Sequence, residues 1–187
     1  INDIHIIRGG KQIVGLTGST LYGLETKLKP YGREPHSIIG STSIGASIIG
    51  GICNNAGGSL VQRGPSYTEM ALYAKVNKNG KLELVNELGI NLGLNPEEIL
   101  DNLQNQNYKE TDIQNTNKLG SDDKYSKIVR EINKNTPARF NSDRRLLYGA
   151  SGSAGKIAVF AVRLDTYLTP IENKVFYVGT NDPDVFW

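Results

Sequence analysis

The first apolar pattern along the chain is that of a β-hairpin. Residues 4–8 and 12–16 are rich in branched apolar side chains, and Gly9-Gly10 between them suits the positive φ of a tight turn. His5 stands between two isoleucines in the first of these segments. The alternation predicts two paired strands, with His5 on the strand surface.

A helical period follows. Apolar residues recur at spacings of three and four over residues 20–29, which places them on one face of a helix. Ser19 is the expected N-terminal cap, and Pro30 with Gly32 is expected to end the helix. The residues that define the apolar face are Leu21, Leu24 and Leu28.

Residues 36–64 form a glycine-rich stretch whose other members are mostly small, polar or isoleucine. Glycine permits positive φ and lets a ligand lie directly on the backbone. A flexible linker is the alternative, but linkers carry few branched apolar side chains, and this stretch has six isoleucines. We predict a packed, ligand-facing loop with a short helical turn inside it, and a hydrogen-bonded structural role for His36. The glycines are Gly40, Gly45, Gly50, Gly51, Gly57, Gly58 and Gly64.

Alternation over 67–76 and 81–85 predicts a second hairpin, because the turn sequence Asn-Lys-Asn-Gly lies between them. Asn95 then precedes Pro96 and two glutamates, a sequence typical of a capped helix start. From 104 to 124 the chain is polar, and we expect an exposed excursion without chemistry.

The last third alternates helical and extended signals. A helix is predicted over about 124–133, and a helical turn over 143–148 precedes a small-residue loop. The near-continuous apolar run at 157–164 predicts a central strand, and 175–178 predicts a further one. Together these elements predict an α+β fold with an antiparallel sheet flanked by helices. The inward residues of the 124–133 helix are expected to be Ile128, Val129 and Ile132.

Composition narrows the function only slightly. The 187 residues carry 21 basic and 19 acidic side chains, too even a balance to indicate a nucleic-acid partner. No apolar run approaches the roughly 20 residues that span a bilayer. Cys53 is the single cysteine, and the two histidines have no metal-site spacing, so the sequence predicts no disulfide and no metal. A reducing, cytoplasmic compartment is the default expectation.

The two ends of the chain suggest that it belongs to a longer protein. It begins at Ile1, just before the first predicted strand, and closes on Asp182-Pro183-Asp184, a sequence that usually starts a helix. We therefore expect an internal segment.

Three common sequence motifs of nucleotide-binding and catalytic sites are absent from the sequence. The loop 150–157 comes close to a phosphate loop, but Ala150 replaces its first glycine and Ile157 its magnesium-binding hydroxyl. Ser153 stands where a nucleophile elbow at Ser151 would need a glycine. The dinucleotide fingerprint Gly-x-Gly-x-x-Gly does not occur either.

The residue strings nevertheless resemble a known family. Residues 40–58, Gly-Ser-Thr-Ser-Ile-Gly-Ala-Ser-Ile-Ile-Gly-Gly-Ile-Cys-Asn-Asn-Ala-Gly-Gly, are similar to the second half of the flavin domain of the vanillyl-alcohol-oxidase (PCMH) type. The later segment 152–159 resembles the family's Gly-Ser-x-Gly-x-Leu-Gly-Ile motif. Strings at 32–36, 59–65 and 136–139 are similar to the bacterial members of the family that oxidise D-lactate and reduce quinone.

The resemblance implies a cofactor and a reaction. FAD would be bound noncovalently, D-lactate would be oxidised to pyruvate by hydride transfer to the flavin, and the electrons would pass to membrane quinone. The protein would then be peripheral, on the cytoplasmic side of the bacterial inner membrane. Residues 1–187 would form the second flavin subdomain, with the pyrophosphate loop upstream, and the substrate cap and membrane region downstream. The catalytic base would lie outside this segment, which alone would retain FAD weakly and be inactive.

Matching positions carry the cofactor contacts over to this chain. Small residues would let the flavin lie on the backbone, and Val159 would pack its side chain against the ring. Cys53 is not expected to attach flavin and suits a small buried hydrophobe. The implied cofactor residues are Gly40, Ser47, Gly57 and Val159, with Gly45 and Gly58 as further close approaches.

Several alternatives stay open on the sequence. Arg63 could orient a substrate carboxylate, or its guanidinium could bond to loop carbonyls. Arg139, Arg144 and Arg145 suit surface charge. The parent enzyme could act on another 2-hydroxy acid, or the chain could be a non-catalytic module that binds a nucleotide or a protein partner.

Overall fold

A five-stranded antiparallel sheet forms the centre of the structure. The computed structural model describes residues 3–36, 44–57, 60–131, 133–134 and 143–186. The strands run in the order β1-β2-β6-β4-β5, so the last long strand of the chain lies in the middle of the sheet. These strands are β1 (Ile4–Ile7), β2 (Gln12–Leu16), β4 (Ala71–Val76), β5 (Leu82–Asn86) and β6 (Ala158–Asp165). Four predicted positions, Gly40, Gly58, Ile132 and Arg139, lie outside the described residues.

Both predicted hairpins are confirmed. β1 and β2 pair antiparallel, and so do β4 and β5, each around the turn that the sequence indicates. The predicted central strand is also confirmed, since β6 pairs with β2 on one side and β4 on the other. Apolar groups cover both faces of the sheet, so this middle strand is buried on both sides over residues 161–164, which explains its near-continuous apolar sequence.

In the described ranges, four short α-helices accompany the sheet: α1 (Leu21–Leu28), α2 (Ile48–Cys53), α3 (Pro96–Gln104) and α4 (Tyr125–Ile128). The α1 cap differs from the prediction, because Thr20 accepts the bond from the Gly23 N–H, whereas Ser19 donates its hydroxyl to the Asp3 carbonyl. The Asn95 cap of α3 is confirmed by its bond from the Glu98 N–H.

Each face of the sheet has its own apolar core. On one face α1 and α2 pack their leucines and isoleucines against Ile13, Val162 and Leu164. On the other face Val14, Leu72 and Ala161 meet α3 and the residues that follow β5. The sheet is therefore covered on both sides, and α2 belongs to the first face.

Two predicted elements of the last third are wrong. The predicted helix over 124–133 is only α4, whose buried residue is Tyr125, while Ile128 is half-buried. The predicted strand at 175–178 is not formed, and its side chains are exposed. A short strand β7 (Tyr167–Leu168) pairs with β3 (Arg33–Glu34) instead.

The polar segment 104–124 is exposed along most of its length, but it is attached to the sheet at defined points. Ile113 is buried and bridges to Ile90. Tyr108 donates or accepts a 2.7 Å hydrogen bond with Nδ1 of His5. The surface position predicted for His5 is therefore wrong: its side chain is 1% exposed, because the distant segment covers it.

Candidate functional site

Helix α2 is the helical turn predicted inside the glycine-rich stretch. Its N-terminal cap is Ser47, whose Oγ accepts a 3.1 Å hydrogen bond from the Gly50 N–H. The start of α2 is held to the start of α1 by two backbone bonds, from Leu21 N–H to the Ala46 carbonyl and from Ile48 N–H to the Ser19 carbonyl, each 2.9 Å. Ser47 therefore lies at the start of α2.

A β-bulge in β6 determines which face Val159 lies on. Leu72 pairs with Ala161 and Tyr73 pairs with Val159, so Phe160 is the extra residue between them. Thr17 binds the bulge, donating its backbone N–H to the Phe160 carbonyl at 3.0 Å. One extra residue shifts the alternation of side chains by one position. As a result Val159 packs on the face that carries α2, while Phe160 packs on the opposite face.

The loop 149–155 closes the C-terminal end of α2. The Gly152 N–H donates to the Ile52 carbonyl at 3.0 Å, and the Ala154 N–H donates to the Cys53 carbonyl at 2.9 Å. At Ile52 the loop donor adds to the Asn55 N–H, which donates to the same carbonyl at 3.1 Å. Carbonyls at a helix end are commonly satisfied by groups outside the helix in this way. Because the loop's N–H groups bind protein carbonyls, the structure agrees with the exclusion of a phosphate loop. The two glycine-rich motifs, about 100 positions apart in sequence, form one unit.

Four partly buried apolar residues from α2, β6 and the positions just before them pack against the core cluster that α2 covers, and we call them the apolar patch. They are Ala46, Ile49, Ile157 and Val159. Gly45, next to the patch, has φ +96 and nothing within 4 Å of an added Cβ. Gly57 is half-buried a few residues after α2. A flat, largely apolar ligand could lie against this patch. Ser47, Gly57, Gly45 and Val159 are thus on or near one unit, while Gly40 and Gly58 lie outside the described residues.

Buried polar atoms without a partner occur at the same junction. Asn55 is fully buried and donates through Nδ2 to the Leu146 carbonyl at 3.0 Å, but its Oδ1 has no hydrogen-bond partner among the described residues. The Oγ of Ser153, a residue that is 8% exposed, also lacks a hydrogen-bond partner in the described part of the chain. Such atoms usually bind a water molecule or a ligand. Asn55 is not among the site residues predicted from the sequence. Its only indication there is its position in the string Asn-Asn-Ala-Gly-Gly.

Arg63 has contacts that close the base of the glycine-rich loop. Its Nη1 donates to the Pro35 carbonyl at 2.7 Å, and its Nη2 forms an ion pair with Glu34. The guanidinium also lies over the ring of Tyr167, with Cζ 4.4 Å from the centroid. Of the two roles that the sequence left open for Arg63, these contacts correspond to a guanidinium that bonds to loop carbonyls.

His36 provides a second closure of the same base. It is 4% exposed, and its Nε2 shares a 2.6 Å hydrogen bond with Ser66 Oγ. Burial, with a smaller contribution from the Arg63 charge, lowers the pKa of His36 to about 4. The imidazole is therefore neutral at neutral pH. The predicted role of a hydrogen-bonded structural histidine is confirmed.

A polar network begins at the cross-strand partner of Val159. Tyr73, the cross-strand partner of Val159, donates its hydroxyl to Glu87 at 3.4 Å. Lys118 lies 2.8 Å from Glu87 and 3.1 Å from the Tyr148 hydroxyl. Burial and the Glu87 carboxylate raise the pKa of Tyr73. Since these residues come from four separate segments, no local sequence signal could have revealed the network.

The remaining predicted positions are two arginines and the single cysteine. Arg144 and Arg145 are exposed, as expected, although Arg145 also pairs with the buried carboxylate of Asp143. Cys53 is half-buried. No group of three or more metal-ligating side chains occurs in the described part of the chain. Within those same ranges, no helix is long and apolar enough to cross a membrane.

The described residues form a mixed α and β structure around a five-stranded antiparallel sheet, in which the two glycine-rich motifs meet at α2. No protein-family model matches the chain. Its curated homologues are quinone-dependent D-lactate dehydrogenases, which are oxidoreductases.

The similarity extends over nearly the whole chain. The chain is 58% identical over 185 residues to the enzyme of Haemophilus influenzae and 54% identical over 185 residues to that of Escherichia coli. It is 46% identical over 182 residues to the enzyme of Corynebacterium glutamicum. These matches cover 97–99% of this chain but only 32–33% of each relative. The chain therefore spans about a third of the length of the curated relatives that it matches.

Proposed function

We propose that the chain forms one wall of the FAD site of a quinone-dependent D-lactate dehydrogenase, in a PCMH-type flavin domain. The observation that supports this most is the joining of the two glycine-rich motifs at α2, next to the apolar patch of Val159. The similarity to enzymes of that name supplies the reaction and the quinone. D-lactate is the proposed substrate, and the proposed location is peripheral, at the cytoplasmic side of the inner membrane.

The residues present fit a flat cofactor with an apolar ring face. Val159 and Ile157 are partly exposed apolar side chains, and Gly45, next to Ala46 in the chain, has open space around an added Cβ among the described residues. The unpartnered Ser153 Oγ offers a polar contact in the same unit. Ser47, Gly57 and Val159 would hold the cofactor, with Gly45 as a close approach. Gly40 and Gly58 are proposed from the family resemblance alone.

The roles of these residues are binding and orientation. Bound FAD would supply the hydride acceptor, so that D-lactate loses a hydride and a proton to give pyruvate. The Ser47 cap and the 149–155 loop hold α2 in place, and the bulge at Phe160 turns Val159 toward the cofactor. A preformed wall of this kind lowers the cost of ordering a loop on binding.

The test uses a full-length protein that carries this sequence. We expect the purified protein to be yellow, to release FAD on denaturation, and to lose its flavin absorption when D-lactate is added without oxygen. Other 2-hydroxy acids tested in parallel define the substrate. A full-length protein without flavin, or a flavin that D-lactate does not reduce, contradicts the proposal. Residues 1–187 alone are expected to bind FAD weakly, and tight stoichiometric binding by fluorescence quenching contradicts that expectation.

A matched pair of glycine variants tests the location of the site. Gly45 and Gly80 both have positive φ, +96 and +74, and both have open space around an added Cβ. Gly45→Ala and Gly80→Ala therefore introduce similar backbone strain. Gly80 lies in the β4–β5 turn, away from the patch. We expect weaker FAD binding only for Gly45→Ala, and equal affinity in the two variants would contradict the placement.

A further inference from the structure

We infer that Arg63 is a positioning residue that closes the base of the flavin-facing loop, and that it does not bind the substrate carboxylate. This inference rests on the proposed flavin site. It assigns a role to the loop base, formed by Glu34, Pro35 and His36 on one side and Arg63 and Ser66 on the other.

Protein groups already contact both terminal nitrogens and the planar face of the Arg63 guanidinium. One nitrogen donates to a backbone carbonyl, another pairs with Glu34, and the planar face lies over Tyr167. The side chains of Arg63 and Glu34 are only 14% and 16% exposed. A cation neutralised by a carboxylate and largely shielded from solvent has little attraction left for a substrate anion.

Two separate side-chain contacts join the ends of the loop at its base. Arg63 joins the two ends of the loop through Glu34 and Pro35, and the His36–Ser66 hydrogen bond joins them again three residues further on. Each contact spans about 30 residues of chain. Closing a loop of this length restricts the conformations of the residues inside it. The two contacts together therefore limit the loop that carries the proposed cofactor residues.

Ser66 connects the loop base to α2 and to the residues that follow it. The Ser66 N–H donates to the Ala56 carbonyl at 2.9 Å, and Ser66 Oγ lies 3.2 Å from an added Cβ at Gly51. Ala56 immediately precedes Gly57. A change at the base is thus transmitted through Ser66 to a proposed cofactor contact, although Arg63 itself need not touch the cofactor.

The experiment compares Arg63→Lys and Glu34→Gln in the full-length protein, alone and together. Lysine keeps the charge but loses the planar fork and the stacking on Tyr167. We expect each single variant to raise the dissociation constant of FAD about tenfold, and the double variant to be no weaker than the worse single one. With FAD at saturation, KM for D-lactate and kcat should remain within about twofold of the unmodified protein.

The control is Arg145→Lys, which alters another arginine–carboxylate pair, with Asp143, outside the loop base. Its FAD affinity should be unchanged. Melting of each FAD-free variant, measured in parallel, shows whether a general loss of stability accompanies the change.

Three results would overturn the inference. A higher KM for D-lactate with unchanged FAD affinity would make Arg63 a substrate ligand. Unchanged FAD affinity and KM in both single variants would remove any role for the base. Weakened FAD binding that Arg145→Lys reproduces would show a merely structural effect. If the unmodified full-length protein holds no flavin, the proposed function itself fails, which is distinct from a flavoprotein in which only the base is unimportant.

Discussion

Buried His36 should make the protein sensitive to mild acid. Its pKa is about 4 in the folded chain and 6.5 for an exposed histidine. Above pH 6.5 the imidazole is neutral in both states, so its contribution to stability is complete. As pH falls from 6.5 toward 4, the unfolded chain binds a proton that the folded chain does not, and stability is lost. These two pKa values give a loss of about 2 kcal/mol between pH 8 and pH 5.

The assay is urea unfolding of the 187-residue chain at pH 8 and pH 5, for the unmodified protein and His36→Gln. Glutamine can keep the hydrogen bond to Ser66, because its terminal amide lies near the position of Nε2, but it does not titrate. We expect the variant to lose about 2 kcal/mol less than the unmodified chain between the two pH values. His5, whose pKa burial also lowers, is present in both proteins, so its contribution cancels. An equal loss in the two proteins would refute the reasoning.

Two further predictions concern packing and the sheet interior. Gly152→Ala should destabilise the chain by about 1–2 kcal/mol more than Gly155→Ala. Both glycines have positive φ, but only at Gly152 does an added Cβ lie 2.8 Å from Asn55 Nδ2. Equal melting temperatures of the two variants would contradict this. Arg163→Met should cost about 3 kcal/mol in urea unfolding. Arg163 is only 3% exposed, and its guanidinium donates two hydrogen bonds to Gln12 and further ones to backbone carbonyls, which would lose their donors. A loss below about 1 kcal/mol would show that water replaces it.

The elements fixed by nearby residues could be predicted from the sequence. The two hairpins have their turn residues between their strands, and Asn95 caps α3 within a few positions. The Ser47 cap inside the glycine-rich stretch also depends on a residue three positions away. In each case the interactions that form the element lie inside the window in which the pattern is visible.

Contacts between distant segments explain what the sequence missed. His5 has the alternation of a surface position, yet Tyr108, 103 residues later, covers it. The bulge that turns Val159 toward α2 depends on its register with β4, which no single strand specifies. Apolar residues at 175–178 have strand propensity but pair with no other strand in the described structure. The cofactor residues Gly45, Ser47, Gly57 and Val159 remain predictions, supported by their nearness to one unit.

The shortness of α2 has a consequence for the order of folding. Six residues are too few for a helix to persist alone in water. Both ends of α2 are completed from outside, at the start by bonds to α1 and at the end by N–H groups of the 149–155 loop, about 100 positions downstream. That loop leads directly into β6, which inserts between β2 and β4. The proposed wall can therefore form only after β6 has entered the sheet. A chain still emerging from the ribosome would have its glycine-rich stretch complete in sequence but not yet able to bind.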